Sequence, residues 1–307
     1  MYQYQAFGMR IASEVRLDEL APSDGMSGSS PDLTIQVTKL GYEIPDLGAA
    51  HPSMVSDDPA GIVMIWPGAA AVRVAGPSLV EIETFPSVPE KYLAFPLLGP
   101  VMGWVLHLRQ LFVLHASAVV HQGKSIGFMG DKGAGKSTTA SAFLSMGAQI
   151  LTDDLLAFDT DNPTGPKILP AFAQVKLNET SAKEMSVHGA EPLPLIMDGF
   201  EKRQFRLPTM HAQPADCDVL LVLERGQGAP SMTMLDPMSS LKALMRFSYN
   251  VRFSELPVVF QERERCFRQA AFLAQKIRIA CLRVPNDISR LPETVDFVMG
   301  KLRADFQ

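Results

Sequence analysis

The sequence predicts an α/β fold in two parts: a small β-rich N-terminal domain of residues 1–90 and a P-loop domain of residues 91–307. Three observations lead to this. Apolar and polar residues alternate in short runs before residue 90, a glycine-rich phosphate-binding motif occupies residues 130–137, and strand and helix patterns are interspersed after it. With 307 residues and a hydrophobic fraction of 47%, the chain can bury a sizeable core.

The N-terminal part predicts an antiparallel meander. Residues 32–37 alternate between apolar and polar side chains. Further predicted strands cover 61–66, 71–74 and 80–85, and glycine and proline turns separate these three runs. Stretches 21–31 and 51–60 lack this alternation and predict loops.

The P-loop domain begins with a predicted helix over residues 91–109. Apolar residues 111–120 and 124–129 then predict two strands, and the link between them is so short that an antiparallel hairpin is the simplest connection. A doubly wound domain would instead place a helix there. Further predicted strands cover 149–158, 169–177, 218–224 and 277–284, and predicted helices cover 136–146, 241–249, 260–275 and 292–302.

Residues 130–137 spell Gly-Asp-Lys-Gly-Ala-Gly-Lys-Ser, the complete pattern G-x-x-x-x-G-K-S. Its glycines let backbone N–H groups close around a phosphate, Lys136 can reach the outer phosphates, and the Ser137 hydroxyl can bind Mg²⁺. A glycine-rich surface turn is the alternative, which the flanking strand and helix disfavour. The predicted nucleotide-binding residues are Gly130, Asp131, Lys132, Gly133, Ala134, Gly135, Lys136, Ser137 and Thr138.

Two adjacent carboxylates, Asp153 and Asp154, follow inside the predicted strand 149–158. Neighbours in a strand point to opposite faces, so one could face a substrate and the other a metal. A plain turn is the alternative. His115, near the end of the apolar strand that pairs with the strand entering the loop, could bind phosphate or orient a carboxylate, although a core histidine is the commoner role.

Lys202, Arg203 and Arg206 form a basic cluster in a predicted loop. Phosphoryl transfer needs cations around the migrating charge, so this cluster is a candidate for binding phosphate or substrate. An ordinary solvated loop is equally consistent with the pattern.

Composition and charge indicate which partners and which cellular compartment to expect. The net charge is −5 with both signs interspersed, which argues against a nucleic-acid partner. The most apolar stretch, 93–106, is short and broken by proline and glycine, so no membrane span is expected. No signal-peptide pattern opens the chain, and three dispersed cysteines suit a reducing cytoplasm.

These features together resemble the HPr kinase/phosphorylase superfamily, whose P-loop fold is related to that of phosphoenolpyruvate carboxykinase. The resemblance rests on His115 fifteen positions before Gly130, on the loop, on the hairpin before it and on the Asp153–Asp154 pair. Outside residues 114–158, the opening Phe7–Ser13 and the pattern at 169–177 look like kinase-like proteins of peptide-tailoring clusters, some of which phosphorylate the C-terminal serine of lasso-peptide precursors.

The resemblance implies an HPr kinase-like serine kinase that uses ATP and Mg²⁺. Asp153 would be the general base, Ser137 and Asp154 would hold the metal, and His115 would support the base. The chain lacks a Glu-Ile-Arg-Gly-Leu-Gly-like run after the Asp pair, and Ala116 follows His115, so a lasso-peptide precursor is favoured over HPr. A kinase for a small metabolite and a non-catalytic nucleotide-binding regulator are the alternatives. The resemblance also implies a homo-oligomer.

Overall fold

The computed structural model describes residues 1–23, 30–43, 53–86, 88–184, 189–193, 202–249 and 257–304. They form a mixed α/β structure with four sheets. The predicted loop 21–31 lies mainly outside the described residues. None of the described helices is long and apolar enough to cross a membrane.

The first sheet is built from the first seven strands. They are β1 (Tyr2–Ala6), β2 (Met9–Ser13), β3 (Leu33–Val37), β4 (Ser53–Asp58), β5 (Gly61–Trp66), β6 (Ala70–Val74) and β7 (Leu79–Thr84), in the order β1-β2-β3-β7-β6-β5-β4. The meander from β4 to β7 is antiparallel. The predicted place of β3 in that meander is wrong, because β3 runs parallel to both β2 and β7. The long connections on either side of β3 make parallel pairing feasible. The loop predicted at 51–60 is also wrong, since β4 lies within it.

A helical segment packs beneath this sheet. It comprises a 3-10 turn (Glu90–Tyr92), α1 (Ala94–Pro96), a π-helical turn (Leu97–Val101) and α2 (Met102–Leu108). The single predicted helix is therefore broken at Gly99, whose φ of −102° and ψ of −106° are not helical. Trp104 and Leu106 share one hydrophobic core with Ile11 and Ile82 of the first sheet. The core is thus continuous across the predicted domain boundary at residue 90, which stays a prediction.

The remaining described residues form twelve further strands, five α-helices and a 3-10 turn (Ile288–Arg290). The strands are β8 (Phe112–Leu114), β9 (Ala116–His121), β10 (Lys124–Met129), β11 (Gln149–Thr152), β12 (Leu156–Asp159), β13 (Lys167–Leu169), β14 (Gln174–Asn178), β15 (Glu191–Pro192), β16 (Lys202–Arg206), β17 (Val219–Gly226), β18 (Ser231–Met234) and β19 (Ile279–Pro285). The helices are α3 (Lys136–Ser145), α4 (Glu179–Glu184), α5 (Pro237–Phe247), α6 (Pro257–Lys276) and α7 (Leu291–Ala304).

The central six-stranded sheet has the order β11-β9-β10-β17-β19-β18. The predicted hairpin is confirmed: β9 and β10 pair antiparallel, and Gln122 and Gly123 both have positive φ, as a tight two-residue turn requires. One cluster of the core joins this sheet to α3 and α7, and another joins it to α5 and α6. Helices therefore cover both faces of the sheet, as α/β architecture requires.

Three long predicted strands are wrong because each divides between sheets. Residues 111–120 form β8, which belongs to a sheet of order β13-β12-β8, and β9 in the central sheet. Residues 149–158 form β11 in the central sheet and β12 in a sheet of order β13-β12-β8. Residues 169–177 contribute to β13 and to β14, which belongs to a sheet of order β14-β16-β15. Because β11 and β10 both pair antiparallel with β9, their carboxyl ends lie at the same edge of the central sheet. The site is built at that edge.

Candidate active site

The phosphate-binding loop connects the end of β10 to the start of α3. Gly133 and Gly135 have φ of 87° and 93°, a left-handed conformation that favours glycine. The helix begins at Lys136 directly after Gly135, so its free N–H groups face the loop. A helix N-terminus carries partial positive charge, and the loop is therefore suited to an anion.

Hydrogen bonds and an ion pair hold the polar side chains of the loop in place. Lys136 Nζ donates to the carbonyl oxygen of Gly130 at 2.9 Å. Thr138 Oγ1 lies 3.0 Å from Ser181 Oγ, while Asp131 forms an exposed ion pair with Arg246 at 2.7 Å. The lysine thus lies against the backbone that would surround a phosphate.

Asp153 is buried directly behind the loop. Its Oδ1 accepts hydrogen bonds from Ser137 Oγ at 3.0 Å and from Ser117 Oγ at 2.5 Å, and its Oδ2 accepts from the backbone N–H of Lys176 at 2.9 Å. Burial raises the pKa of Asp153, and the charge of Asp154 adds to the rise, although the bonds from Ser117 and Lys176 oppose it. Asp153 is thus a buried carboxyl held in place by three hydrogen-bond donors.

Asp154 is held in a different environment. Its φ is 78°, in the left-handed region. This departure from extended backbone geometry comes just after the end of β11. Asp154 Oδ2 accepts from Lys176 Nζ at 2.7 Å. Burial alone would raise the pKa of Asp154, but the charges of Lys176 and His115 outweigh it and lower the pKa. The prediction that the pair lies inside one strand is therefore wrong; the two aspartates lie at a turn between sheets and differ in acidity.

His115 occupies the bend between β8 and β9. Its Nδ1 lies 3.2 Å from the carbonyl oxygen of Asp154, and its backbone N–H donates to Phe247. The structure thus brings His115 to the aspartate pair, where it contacts the backbone of Asp154 and contributes to the lowered pKa of Asp154. Its role as a support for the base stays a prediction.

The basic cluster 202–206 is not a loop, and this prediction is wrong. These residues form β16, in which alternate side chains point to opposite faces. Lys202 shares a face with Lys176 and helps to lower the pKa of Asp154, whereas Arg203 pairs with Leu177 on the other face. Arg206 pairs with Gln174 on the face that Lys176 shares, and it donates to the carbonyl oxygen of Asp18. Lys202 therefore acts electrostatically on Asp154.

Sequence reasoning missed Ser117 and Lys176. Ser117 is a small polar residue in an otherwise apolar run, a pattern without a strong signal. Lys176 was detectable in principle, because a single lysine between Val175 and Leu177 in a buried strand needs a nearby counter-charge. The candidate partners were the two aspartates.

The donor set fits a magnesium–nucleotide complex better than a metal bound by protein alone. Among the described residues, no group of three or more histidines, cysteines or carboxylates could hold a metal ion. Ser137 Oγ and the carboxylates behind it are oxygen ligands, which Mg²⁺ prefers, and Mg²⁺ commonly takes its other ligands from phosphates and water. Of the predicted metal ligands, Ser137 is hydrogen-bonded to Asp153, whereas Asp154 is paired with Lys176.

Comparison with known proteins adds little to this geometry. No protein-family model matches the chain, and no curated protein matches it. Among solved structures, the chain is similar to the HPr(Ser) kinase/phosphatase from Coxiella burnetii, with 10% sequence identity over 63% of this chain and 97% of that chain and a TM-score of 0.28. A similarity with so low a TM-score does not establish a function. The function proposed below is therefore based on the residues and contacts of the site.

Proposed function

We propose that the protein is an HPr kinase-like enzyme that transfers the γ-phosphoryl group of ATP to the hydroxyl of a serine in a peptide or protein. The observation that carries the proposal is the 3.0 Å hydrogen bond from Ser137 of the phosphate loop to the buried carboxylate of Asp153. This contact supports the proposal because Asp153, the proposed proton acceptor, lies beside Ser137, which would hold the metal of the nucleotide.

The phosphate side of the site is supplied by the loop and α3. Backbone N–H groups of the loop bind the phosphates, and Lys136 moves from the Gly130 carbonyl to a phosphate oxygen. Ser137 and a carboxylate of the aspartate pair would hold Mg²⁺, which when bound would offset the negative charge of the phosphates.

The acceptor side relies on Asp153. Its raised pKa favours taking the proton of the acceptor hydroxyl as the oxygen bonds to the γ-phosphorus and the bond to the ADP oxygen breaks. Asp154 stays ionised beside Lys176, because its pKa is lowered. His115 holds the turn that carries both aspartates through its contact with the Asp154 backbone.

A cleft near the site favours a peptide over a small metabolite. It lies between the first sheet and β16, has a volume of about 730 Å³, and is largely apolar, with walls that include Tyr4, Leu17, Glu19, Arg206 and Leu207. Arg206 pairs with Gln174. Gln174 lies two residues before Lys176, so the two residues are about 7 Å apart along the strand. An open groove of this kind suits an extended segment, such as the C-terminal end of a lasso-peptide precursor.

The test is transfer of label from γ-labelled ATP with magnesium. Reactions contain a peptide with a C-terminal serine, free serine, or no acceptor, and Lys136→Ala serves as the inactive control. We expect label on the peptide alone. Label on free serine would instead favour a metabolite kinase, and ATP binding without transfer to any acceptor would contradict the proposal.

A further inference from the structure

A second cation lies under the phosphate loop. Arg225 comes from the carboxyl end of β17, the strand that pairs parallel with β10. Its Nε donates to the carbonyl oxygen of Ala134 at 3.1 Å and its Nη1 to that of Pro285 at 2.8 Å. A Cβ added at Gly135 would collide with Nη2, so the guanidinium lies directly against the last residue of the loop.

Among the residues that the structure describes, no acid balances the charge of Arg225. Among the described residues, no carboxylate forms an ion pair with it, and burial is the cause that lowers its pKa. Nη2 also takes part in none of the hydrogen bonds between described residues. By contrast, Arg246 at the same loop is paired with Asp131.

A bound anion would stabilise this arrangement. Arg225 and Lys136 both lie at the N-terminus of α3, where the helix dipole repels positive charge and attracts negative charge. A half-buried guanidinium gains most from a bidentate or charge-assisted bond to phosphate or carboxylate. The loop residues around it are those that the proposed function assigns to the nucleotide.

We propose that Arg225 is a phosphate-binding residue, and that its Nη2 donates to an oxygen of the β- or γ-phosphate of the nucleotide in the loop. This inference rests on the proposed function. It adds a cation supplied by a neighbouring strand to the loop lysine, and it explains why position 135 must lack a side chain.

The test is calorimetric titration of Arg225→Gln with ATP, ADP and AMP. The matched control is Arg283→Gln on the adjoining strand β19, where Arg283 is exposed and lies beside Gly226 rather than the loop. We expect ATP and ADP to bind about ten- to hundredfold more weakly to Arg225→Gln, the range of a charge-assisted bond, and AMP to change less than about twofold. The control should bind all three like the wild type.

A purely structural role would have a different signature. Loss of the two backbone contacts alone would lower the melting temperature and weaken all three nucleotides equally, and that result would overturn the proposal. Free guanidinium ion added to Arg225→Ala should restore ATP affinity if the charge acts on phosphate. Unchanged ATP affinity in Arg225→Gln would refute this inference alone, whereas failure of the wild type to bind ATP would refute the proposed function as well.

Discussion

Replacing Lys176 with methionine tests the electrostatic design of the site. Methionine has a long, unbranched side chain like that of lysine but carries no charge. The ion pair with Asp154, at 2.7 Å in the wild type, is therefore lost. The backbone bond from residue 176 to Asp153 stays in place. What is lost is the main charge that keeps Asp154 ionised in a partly buried position.

The expected loss of stability in Lys176→Met depends on how far the two side chains of the ion pair are exposed to solvent. Breaking a buried ion pair typically costs about 3–5 kcal/mol, whereas exposed pairs contribute at most about 1 kcal/mol. The side chains of Lys176 and Asp154 are 16% and 26% exposed, so solvent screens part of the interaction. We therefore expect Lys176→Met to lower the free energy of unfolding by about 2–3 kcal/mol at pH 7.

The loss should depend on pH with a defined sign. The folded-state pKa of Asp154 is lowered, so the stability that it contributes is fully present above the unfolded pKa of about 4 and is lost as pH falls through the folded value. The difference between wild type and variant should therefore shrink below about pH 4.

The assay is urea unfolding followed by tryptophan fluorescence, since Trp104 is buried in the core. Lys167→Met is the matched control, because Lys167 pairs with Asp216 at the same 2.7 Å but Asp216 is 75% exposed. That variant should lose less than about 1 kcal/mol. A Lys176→Met variant as stable as the control at pH 7, or a loss independent of pH, would refute the reasoning.

Three further predictions concern the loop and the base. Lys136→Ala should weaken ATP binding by at least about tenfold, because a charge-assisted bond to phosphate is lost; unchanged affinity in calorimetry would count against the loop assignment. Gly135→Ala should melt at a lower temperature than Gly133→Ala, because both have positive φ but only the first collides with the guanidinium beneath the loop. Ser117→Ala removes a bond that lowers the pKa of Asp153, so the acid limb of the rate profile for kcat/KM should move to higher pH; an unshifted limb would argue against that role.

The local patterns of the sequence predicted the parts of the fold that local forces decide. The hairpin before the loop follows from the short link at Gln122 and Gly123, and the helix after it ends where predicted, since Gly147 has φ of 88°. The positions of Asp153 and Asp154 relative to the loop depend instead on the pairing of β9 with both β10 and β11, which brings the carboxyl ends of β10 and β11 to one edge of the sheet.

Features decided by distant contacts were not predictable in this way. The turn at Asp154 partly buries the Asp154 carboxylate. Lys176, which lies 22 residues further along the chain, offsets the charge of that carboxylate. The insertion of β3 between β2 and β7 depends on pairing across most of the N-terminal sheet. In β16, charged side chains stand on both faces, so its sequence lacks the alternation that predicts a strand.

The measurement that tests the central claim most directly compares Asp153→Asn with the wild type in two assays, ATP binding and single-turnover phosphoryl transfer. Asparagine keeps the size of the side chain and removes the proton acceptor. The account predicts ATP affinity within about threefold of the wild type and a transfer rate lower by about 10²–10⁴-fold, the usual contribution of a general base. Normal transfer by Asp153→Asn would contradict the account.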